Sequence, residues 1–276
     1  MLVVMLLSAC NSRKADSDAY LAEEVLADSL SREESAEEAP MVNESVDEEL
    51  QLPENADMLF DDFVFVFVQS RKVQLDRVRF PFPVINGNDT TWLRRENWHH
   101  ETLYLNSDEY TVFFNNESQM DLEKGTELTH VDVEHLLLKE KCLDTYHFKR
   151  IKGKWWMVAK TRQPLSASPL AGFLDFYYSF ATDSVYRYDH ISDPLEYVAP
   201  DPEDEFEMIK GTIDKEQWQA FGPVLPYRHL TNIRYGQTYN DPNRMVMVMR
   251  GIANGMMDIL TFHKQNGEWK LVSYEN

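Results

Sequence analysis

The chain has 276 residues, 43% of them hydrophobic and 12% aromatic, which is enough for two domains with cores of ordinary size. Its formal net charge of −20 argues against binding nucleic acid, because the phosphates of a nucleic acid require a basic face. Much of this charge lies in one segment, residues 11–57, which hold fifteen acidic and three basic residues.

The first ten residues are an apolar run that ends in Leu7, Ser8, Ala9 and Cys10. This pattern resembles a bacterial lipobox, in which signal peptidase cuts before the cysteine and the cysteine is then acylated. The resemblance predicts a signal peptide at 1–9, lipid attachment at Cys10, and a protein anchored in the bacterial cell envelope, at the outer membrane. The alternative is a buried N-terminal strand with a free cysteine.

No Lys or Arg precedes this apolar run, although a signal peptide normally begins with basic residues. Either the true start lies upstream of Met1 or the signal peptide is cut short. The run is also far below the roughly 20 residues that a membrane-spanning helix needs. We therefore expect the membrane to be a partner only through N-terminal acylation.

Residues 10–54 form an acidic segment with few aromatic residues. Low hydrophobicity and like charges leave such a segment little reason to fold, apart from a marginal short helix near Tyr20–Leu30, so we interpret it as a disordered tether. An acylated Cys10 cannot form a disulfide, which leaves Cys142 alone. We expect Cys142 to be a buried structural thiol.

A repeat organises the rest of the chain. With a constant shift of 113 residues, one aromatic motif occurs twice, at Phe60, Asp62, Phe63 and Phe67 and again at Phe173, Asp175, Phe176 and Phe180. With a shift of 114, a second set of four recurs, from Asp144, Phe148, Gly153 and Trp155 to Asp258, Phe262, Gly267 and Trp269. Two blocks in the same order and at nearly the same spacing indicate a duplicated domain.

The aromatic spacing i, i+3, i+4, i+7 is typical of one face of an amphipathic helix. It predicts helices at about 55–72 and 168–184, with Asn55 and Ser168 as N-caps and Pro169 in the first turn. A third helix is expected at Asp214–Phe221, ended by Gly222 and Pro223.

We predict a first domain at 55–160, a linker at 161–167 and a second domain at 168–276. Proline-containing turns follow each long helix, and residues 86–89 have the composition of a loop. The first domain's predicted strands are Tyr110–Phe114, Leu128–Leu137, Asp144–Arg150 and Trp155–Ala159. The predicted strands of the second domain are Leu230–Tyr235, Met245–Arg250, Met257–Lys264 and Trp269–Tyr274. Lys152-Gly153 and Asn266-Gly267 are hairpin turns.

Helices that precede an antiparallel meander predict an α+β fold, with each helix packed on a curved sheet. This order, with Phe-x-Asp-Phe-x-x-x-Phe, Gly-Lys-Trp and Gly-Glu-Trp, resembles the nuclear transport factor 2-like (cystatin-like) superfamily. The tandem arrangement behind a lipobox is also similar to a family of uncharacterised envelope lipoproteins from gut anaerobes. Proteins of this superfamily often dimerise through their sheets, so a third, structural alternative is that the two domains pair in this way within one chain.

The superfamily's pocket lies between sheet and helices, so inward polar residues are the site candidates. Asp144 and Asp258 begin equivalent strands and share their parity with apolar residues, so either could act as an acid or base with a raised pKa. The alternative, which we favour, places each carboxylate in solvent at a strand end.

His130, Asp132 and Glu134 alternate and would share one strand face, with His135 opposite, an arrangement that can bind a metal. We favour a solvent-exposed strand face and predict no metal. His99 and His100, beside Trp98, are a second ambiguous pair, for which we favour an exposed loop. Five methionines either line a ligand groove or fill a core, and we favour the core: Met245, Met247, Met249, Met256 and Met257.

The sequence contains no phosphate-binding glycine loop, nucleophile elbow or Cys-x-x-Cys pair, so no cofactor is predicted. We predict a non-enzymatic binding or scaffolding lipoprotein that takes a small apolar ligand or an envelope protein. The alternative is an isomerase or dehydratase that uses a carboxylate in one pocket. A binding module predicts pockets filled by Phe63, Phe67, Phe176 and Phe180, whereas an enzyme predicts a deep pocket with a buried acid or base.

Overall fold

The structure, a computed structural model, describes residues 52–104, 107–204, 207–252 and 254–276. Cys10, the predicted signal peptide and nearly all of the predicted tether lie outside the described residues. The helices of this part are α1 Phe60–Gln69, α2 Arg71–Arg77, α3 Ala171–Thr182, α4 Ser184–Asp189 and α5 Lys215–Phe221. None of them combines the length and the hydropathy that crossing a membrane requires.

The strands of the same part are β1 Phe82–Asn86, β2 Asp89–Leu93, β3 Glu109–Phe114, β4 His130–Leu137, β5 Cys142–Ile151, β6 Lys154–Pro164, β7 Ile191–Pro200, β8 Met208–Ile213, β9 His229–Arg234, β10 Arg244–Gly251, β11 Met257–Gln265 and β12 Glu268–Glu275. They form one sheet in the order β2-β1-β6-β5-β4-β9-β3-β10-β11-β12-β7-β8. Neighbours are antiparallel except β1 with β6, β7 with β12 and β3 with β9, which are parallel.

Strands from the two predicted domain segments alternate at the centre of this sheet. β3, from the first segment, lies between β9 and β10, and β9, from the second, lies between β4 and β3. The strand order is symmetric about its centre: if β3 and β9 are corresponding strands of the repeat, each strand lies as far from one end of the sheet as its counterpart lies from the other end. The two segments thus share one continuous sheet.

Each predicted long helix is two shorter helices that meet at an extended residue. Ser70 separates α1 from α2, and its hydroxyl accepts the Val73 N–H. Asp183 separates α3 from α4, and its carboxylate accepts the N–H groups of Val185 and Tyr186. Because each of these side chains accepts hydrogen bonds from the first free N–H groups of the following helix, a new helix begins after Ser70 and after Asp183.

The predicted helix starts were wrong by several residues. α1 and α3 begin after Leu59 and Leu170, and no side chain caps either start. Ser168 instead closes the turn before α3, because its hydroxyl accepts the Leu170 N–H at 3.2 Å. Pro169 lies in that turn, outside the helix. The third predicted helix is confirmed as α5, where Asp214 and Gln217 form a capping box.

All eight predicted strands are present, within a few residues of their predicted ends. Both hairpin turns are also confirmed, since Lys152, Gly153, Asn266 and Gly267 all have positive φ. The hairpins β1–β2 and β7–β8 were not predicted. They form the two edges of the sheet, and their outer strands, β2 and β8, are mostly exposed and so lack a clear apolar alternation. Residues 161–167, expected as a linker, are the end of β6 and a 3-10 turn.

The sheet carries one hydrophobic core on each face. Along β10, Met247 packs in the core that includes α3, whereas its neighbours Val246 and Val248 pack in the core that includes α1. β3 alternates in the same way. The central strands are therefore covered on both sides, which explains their nearly continuous hydrophobic runs.

Candidate functional site

Aromatic side chains fill the space between each long helix and the sheet. In the α1 core, the ring of Phe148 lies 5.2 Å from that of Phe60 and 5.4 Å from that of Phe67. In the α3 core, Phe262 contacts Phe173, Phe176 and Phe180 with ring centroids 5.2 to 5.7 Å apart. Phe63, Phe67, Phe176 and Phe180 are all buried, as a binding module with filled interiors requires.

An open groove lies at the edge of the α1 core. We call it the Asp61 groove: about 600 Å³ between the first turn of α1, the loop before β3 and the end of β10. Asp61, Phe65, Tyr104 and Tyr110 line it, and the ring of Phe65 is 40% exposed. This volume is in the range that small-molecule sites occupy.

Asp61 is the acidic group of this groove. Tyr235, which follows β9, donates a hydrogen bond to its Oδ1 atom at 2.6 Å. The pKa of Asp61 is raised to about 6, chiefly by burial; the hydrogen bond from Tyr235 opposes the shift, and the negative charge of Glu123 adds to it. The carboxyl group therefore changes charge within a unit or so of neutral pH.

Two further tyrosines face Asp61. The ring centroids of Tyr104 and Tyr110 lie 5.8 Å apart. Burial, with the charge of Asp61 next, raises the pKa of Tyr110 to about 12 and that of Tyr104 well above its ordinary value. Both phenols thus stay protonated at neutral pH, where they can donate hydrogen bonds and offer ring faces.

A buried ion pair lies next to Tyr110. Arg250, the cross-strand partner of Tyr110, pairs with Glu123. Their side chains are only 17% and 11% exposed, so each charge depends on the other. A second open cavity, of about 620 Å³, lies on this side, and Tyr110 and Gly251 line both cavities.

The structure places both predicted carboxylates on buried apolar faces. Asp144 is paired with Arg162 at 3.0 Å, and Asp258 accepts a hydrogen bond from Tyr274 at 2.6 Å. The favoured expectation of solvated strand ends was therefore wrong, because both residues are buried. Asp258 also lines an open cavity of about 520 Å³ near the end of β12.

The exposed strand face expected around Asp132 is also wrong. Asp132 and Glu134 are buried, and Arg234 from β9 lies beside both carboxylates. His135 points to the opposite face, as predicted, where its ring nitrogen lies 2.6 Å from the Leu103 carbonyl oxygen. Burial lowers the pKa of His135.

The other predicted residues are placed as follows. His99 and His100 are exposed, as expected, next to the buried Trp98. The methionines of β10 belong to the α3 core, as expected, but Met256 and Met257 are about 40% exposed. Cys142 is half-buried rather than buried, with its thiol near the Glu140 carbonyl.

Sequence reasoning missed the Asp61 groove. One signal was available: within the repeated motif, Asp61 is a carboxylate where the second copy has the apolar Leu174. A charged residue on the buried side of an aromatic helix is unusual unless it has a partner. Its partner Tyr235 belongs to a distant strand, which the spacing of residues does not reveal.

Comparisons with known proteins agree with this architecture. A family model described as a domain of unknown function (DUF4348) matches residues 38–276. The crystal structure of an NTF2-like protein from Bacteroides fragilis NCTC 9343 is 38% identical, covers 81% of this chain and 97% of that chain, and superposes with a TM-score of 0.76. No curated protein matches. The chain therefore belongs to the DUF4348 family, and its fold is nuclear transport factor 2-like.

Proposed function

We propose that this protein is a non-enzymatic binding module and that its ligand occupies the Asp61 groove. The observation that carries the proposal is the contrast between two interiors packed with aromatic rings and an open groove that contains a carboxyl group with a pKa raised to about 6. Evolved ligand sites combine a mostly apolar lining with a few placed polar groups, and this groove has both.

The chemistry of the groove narrows the ligand class. Above its pKa, Asp61 accepts hydrogen bonds, so it suits a hydroxyl or amine group. Tyr104 and Tyr110 add hydroxyl donors and ring faces, and Phe65 adds an apolar wall. We propose a small apolar molecule that carries one hydrogen-bond donor at its end.

Native mass spectrometry of the full chain, purified from its own host, tests this function. We expect a co-purifying small molecule that is lost in Asp61→Asn and Phe65→Ser. Asp175→Asn is the matched control, because it changes an exposed carboxylate on α3 and leaves the groove intact. Retention of the molecule by both groove variants, or a ligand-free protein, would refute the proposal.

The second candidate is an isomerase or dehydratase, and Asp61 favours it more than Asp144 or Asp258 does. A carboxyl group with a pKa near 6 beside neutral phenols has the parts for proton transfer. Incubating the co-purified molecule with the protein separates the two functions. A binding module returns it unchanged, whereas an enzyme changes its mass or its chromatographic retention.

We also propose that the protein is anchored through Cys10 in the bacterial envelope, at the outer membrane, with residues 10–54 as a tether. The lipobox-like Leu-Ser-Ala-Cys run supports the anchor. Mass spectrometry of the N-terminal peptide should find an acylated Cys10, and Cys10→Ala should move the protein to the soluble fraction. An unmodified Cys10 in the mature protein would contradict this proposal.

Finally, we propose that residues 55–160 and 168–276 are an internal duplication in which the copies have exchanged β3 and β9. The repeated motifs and the palindromic strand order support this. Ser70 and Asp183, the two helix breaks, also correspond under the same shift of 113 residues. Separate expression of 55–160 should yield an unstable fragment, since β9 would be missing beside β4. A stable fragment whose NMR chemical shifts match those of the full chain would contradict the proposed exchange of β3 and β9.

A further inference from the structure

We propose that His130, Asp132 and His147 form a binding site for a divalent transition-metal ion of the Zn²⁺ class. The three side chains come from adjacent strands: His130 and Asp132 share one face of β4, and His147 is the direct partner of Asp132 on β5. This site is separate from the Asp61 groove, and the proposal does not depend on the proposed function.

The distances are close to those of a coordination sphere. Asp132 Oδ1 lies 2.8 Å from His130 Nε2 and 2.7 Å from His147 Nδ1, and all three atoms fall within 4.8 Å of one another. Around a tetrahedral Zn²⁺, neighbouring ligand atoms are about 3.3 Å apart, given ligand distances near 2.0 Å. The two contacts of Asp132 would therefore have to lengthen by about half an ångström to admit the ion.

A hydrogen bond fixes the orientation of His147. Its other ring nitrogen, Nε2, lies 3.0 Å from the hydroxyl oxygen of Thr161 on β6. With Nε2–H donating to Thr161, Nδ1 is left unprotonated and free to bind a metal. Metal-binding histidines usually have such a second partner, which sets the tautomer and the ring position.

The charges around the site also suit a cation. Arg234 is the nearby positive group, at 3.8 Å from Asp132 Oδ2, but it makes its closer contact, 3.1 Å, with Glu134. Glu134 also accepts a hydrogen bond from Asn232 at 2.7 Å. Arg234 is thus engaged more closely by Glu134, and the Asp132 carboxylate contacts the two histidines.

The site opens to solvent on one side. The side chain of His130 is 46% exposed, that of His147 is 25% exposed and that of Asp132 is 10% exposed. An ion can therefore enter without unfolding the sheet, and a water molecule can complete its coordination. Three protein ligands with one open position is the arrangement that non-structural zinc sites use.

Titration of the full chain with Zn²⁺, and with Co²⁺ as a spectroscopic substitute, tests the site. The protein should carry no histidine tag. We expect one equivalent of bound metal, a Co²⁺ visible spectrum typical of four-coordination, and a higher melting temperature with Zn²⁺. His130→Gln and His147→Gln should each weaken binding more than about tenfold, and Thr161→Val by about tenfold.

His99→Gln combined with His100→Gln is the matched control, because these histidines are exposed and adjacent but lie outside the site. Unchanged binding in this control supports the proposal. The proposal is overturned if the wild type binds no metal, if the control loses binding, or if His130→Gln binds like the wild type. Because His130 is half exposed, His130→Gln should keep its fold, which its circular dichroism will check.

Discussion

Tyr235 donates a hydrogen bond of 2.6 Å to Asp61, although 174 residues separate them in the chain. The contact joins the end of β9 to the first turn of α1. Both groups are withdrawn from water, and each shifts the titration of the other. The Asp61 groove therefore exists only when the N-terminal helix and the C-terminal segment are folded together.

Asp61→Asn should stabilise the protein above pH 6. The folded-state pKa of Asp61 is about 6 and the ordinary value is 3.8, so the folded state binds the proton more tightly than the unfolded state does. The wild type must then lose stability as pH rises from about 4 to 6, by up to about 3 kcal/mol from two pKa units. Urea denaturation from pH 4 to 8 will measure this, and a variant with the wild-type pH profile would contradict it.

Tyr235→Phe should raise the pKa of Asp61 above 6. The Tyr235 hydroxyl stabilises the charged carboxylate by donating to it, and its loss leaves burial and the charge of Glu123 less opposed. The carboxyl carbon of Asp61, followed by NMR during a pH titration, reports the shift. Tyr227→Phe is the control, since Tyr227 is exposed and should leave the titration unchanged.

Phe67→Ala should destabilise the fold, whereas Phe65→Ala should have little effect. Phe67 is fully buried against Phe148, so its truncation leaves a cavity and costs about 3–5 kcal/mol. Phe65 lies on the same helix with 40% of its surface exposed, and its truncation should cost less than about 1 kcal/mol. Midpoints of urea denaturation compare the two, and similar losses would show that the α1 core tolerates a cavity.

Asp57→Asn should remove part of the protein's sensitivity to acid. The Asp57 carboxylate accepts two hydrogen bonds from Arg77, both 2.8 Å, and one from the Trp155 N–H. Burial alone would raise the pKa of Asp57, but these partners outweigh it and lower the pKa. This stability is present above the unfolded-state pKa near 4 and is lost as pH falls through the lower folded value.

At neutral pH, Asp57→Asn should cost about 3 kcal/mol, because Arg77 is left without its charge partner. Its denaturation midpoint should then vary less between pH 5 and pH 2 than that of the wild type. Asp76→Asn is the control: Asp76 makes an exposed ion pair with Arg95, and such pairs contribute little. An equal loss in both variants would contradict the special role of Asp57.

The sequence predicted the parts of this protein that depend on local patterns. Aromatic spacing identified the buried faces of α1 and α3, and the pairs Lys152-Gly153 and Asn266-Gly267 identified two hairpins. It did not predict β1, β2, β7 and β8, because edge strands that contain proline or lie in solvent show little alternation.

The candidate sites show the same limit. The alternating pattern predicts that Asp132 is exposed, yet His147 on β5 and Arg234 on β9 lie against its carboxylate. Asp61 reads as an ordinary acidic residue in a first helical turn, yet Tyr235 lies beside it. Both environments arise from strand pairing over long sequence distances, which periodicity cannot show.

The position of β9 between β4 and β3 affects how the chain is made. When residues 109–137 leave the ribosome, β3 and β4 cannot take their final places, since the strand that separates them is about a hundred residues away. At a synthesis rate of about 5–20 residues per second, these strands wait for at least several seconds with unpaired edges. We therefore expect the nascent protein to need protection from aggregation until residue 234 has emerged.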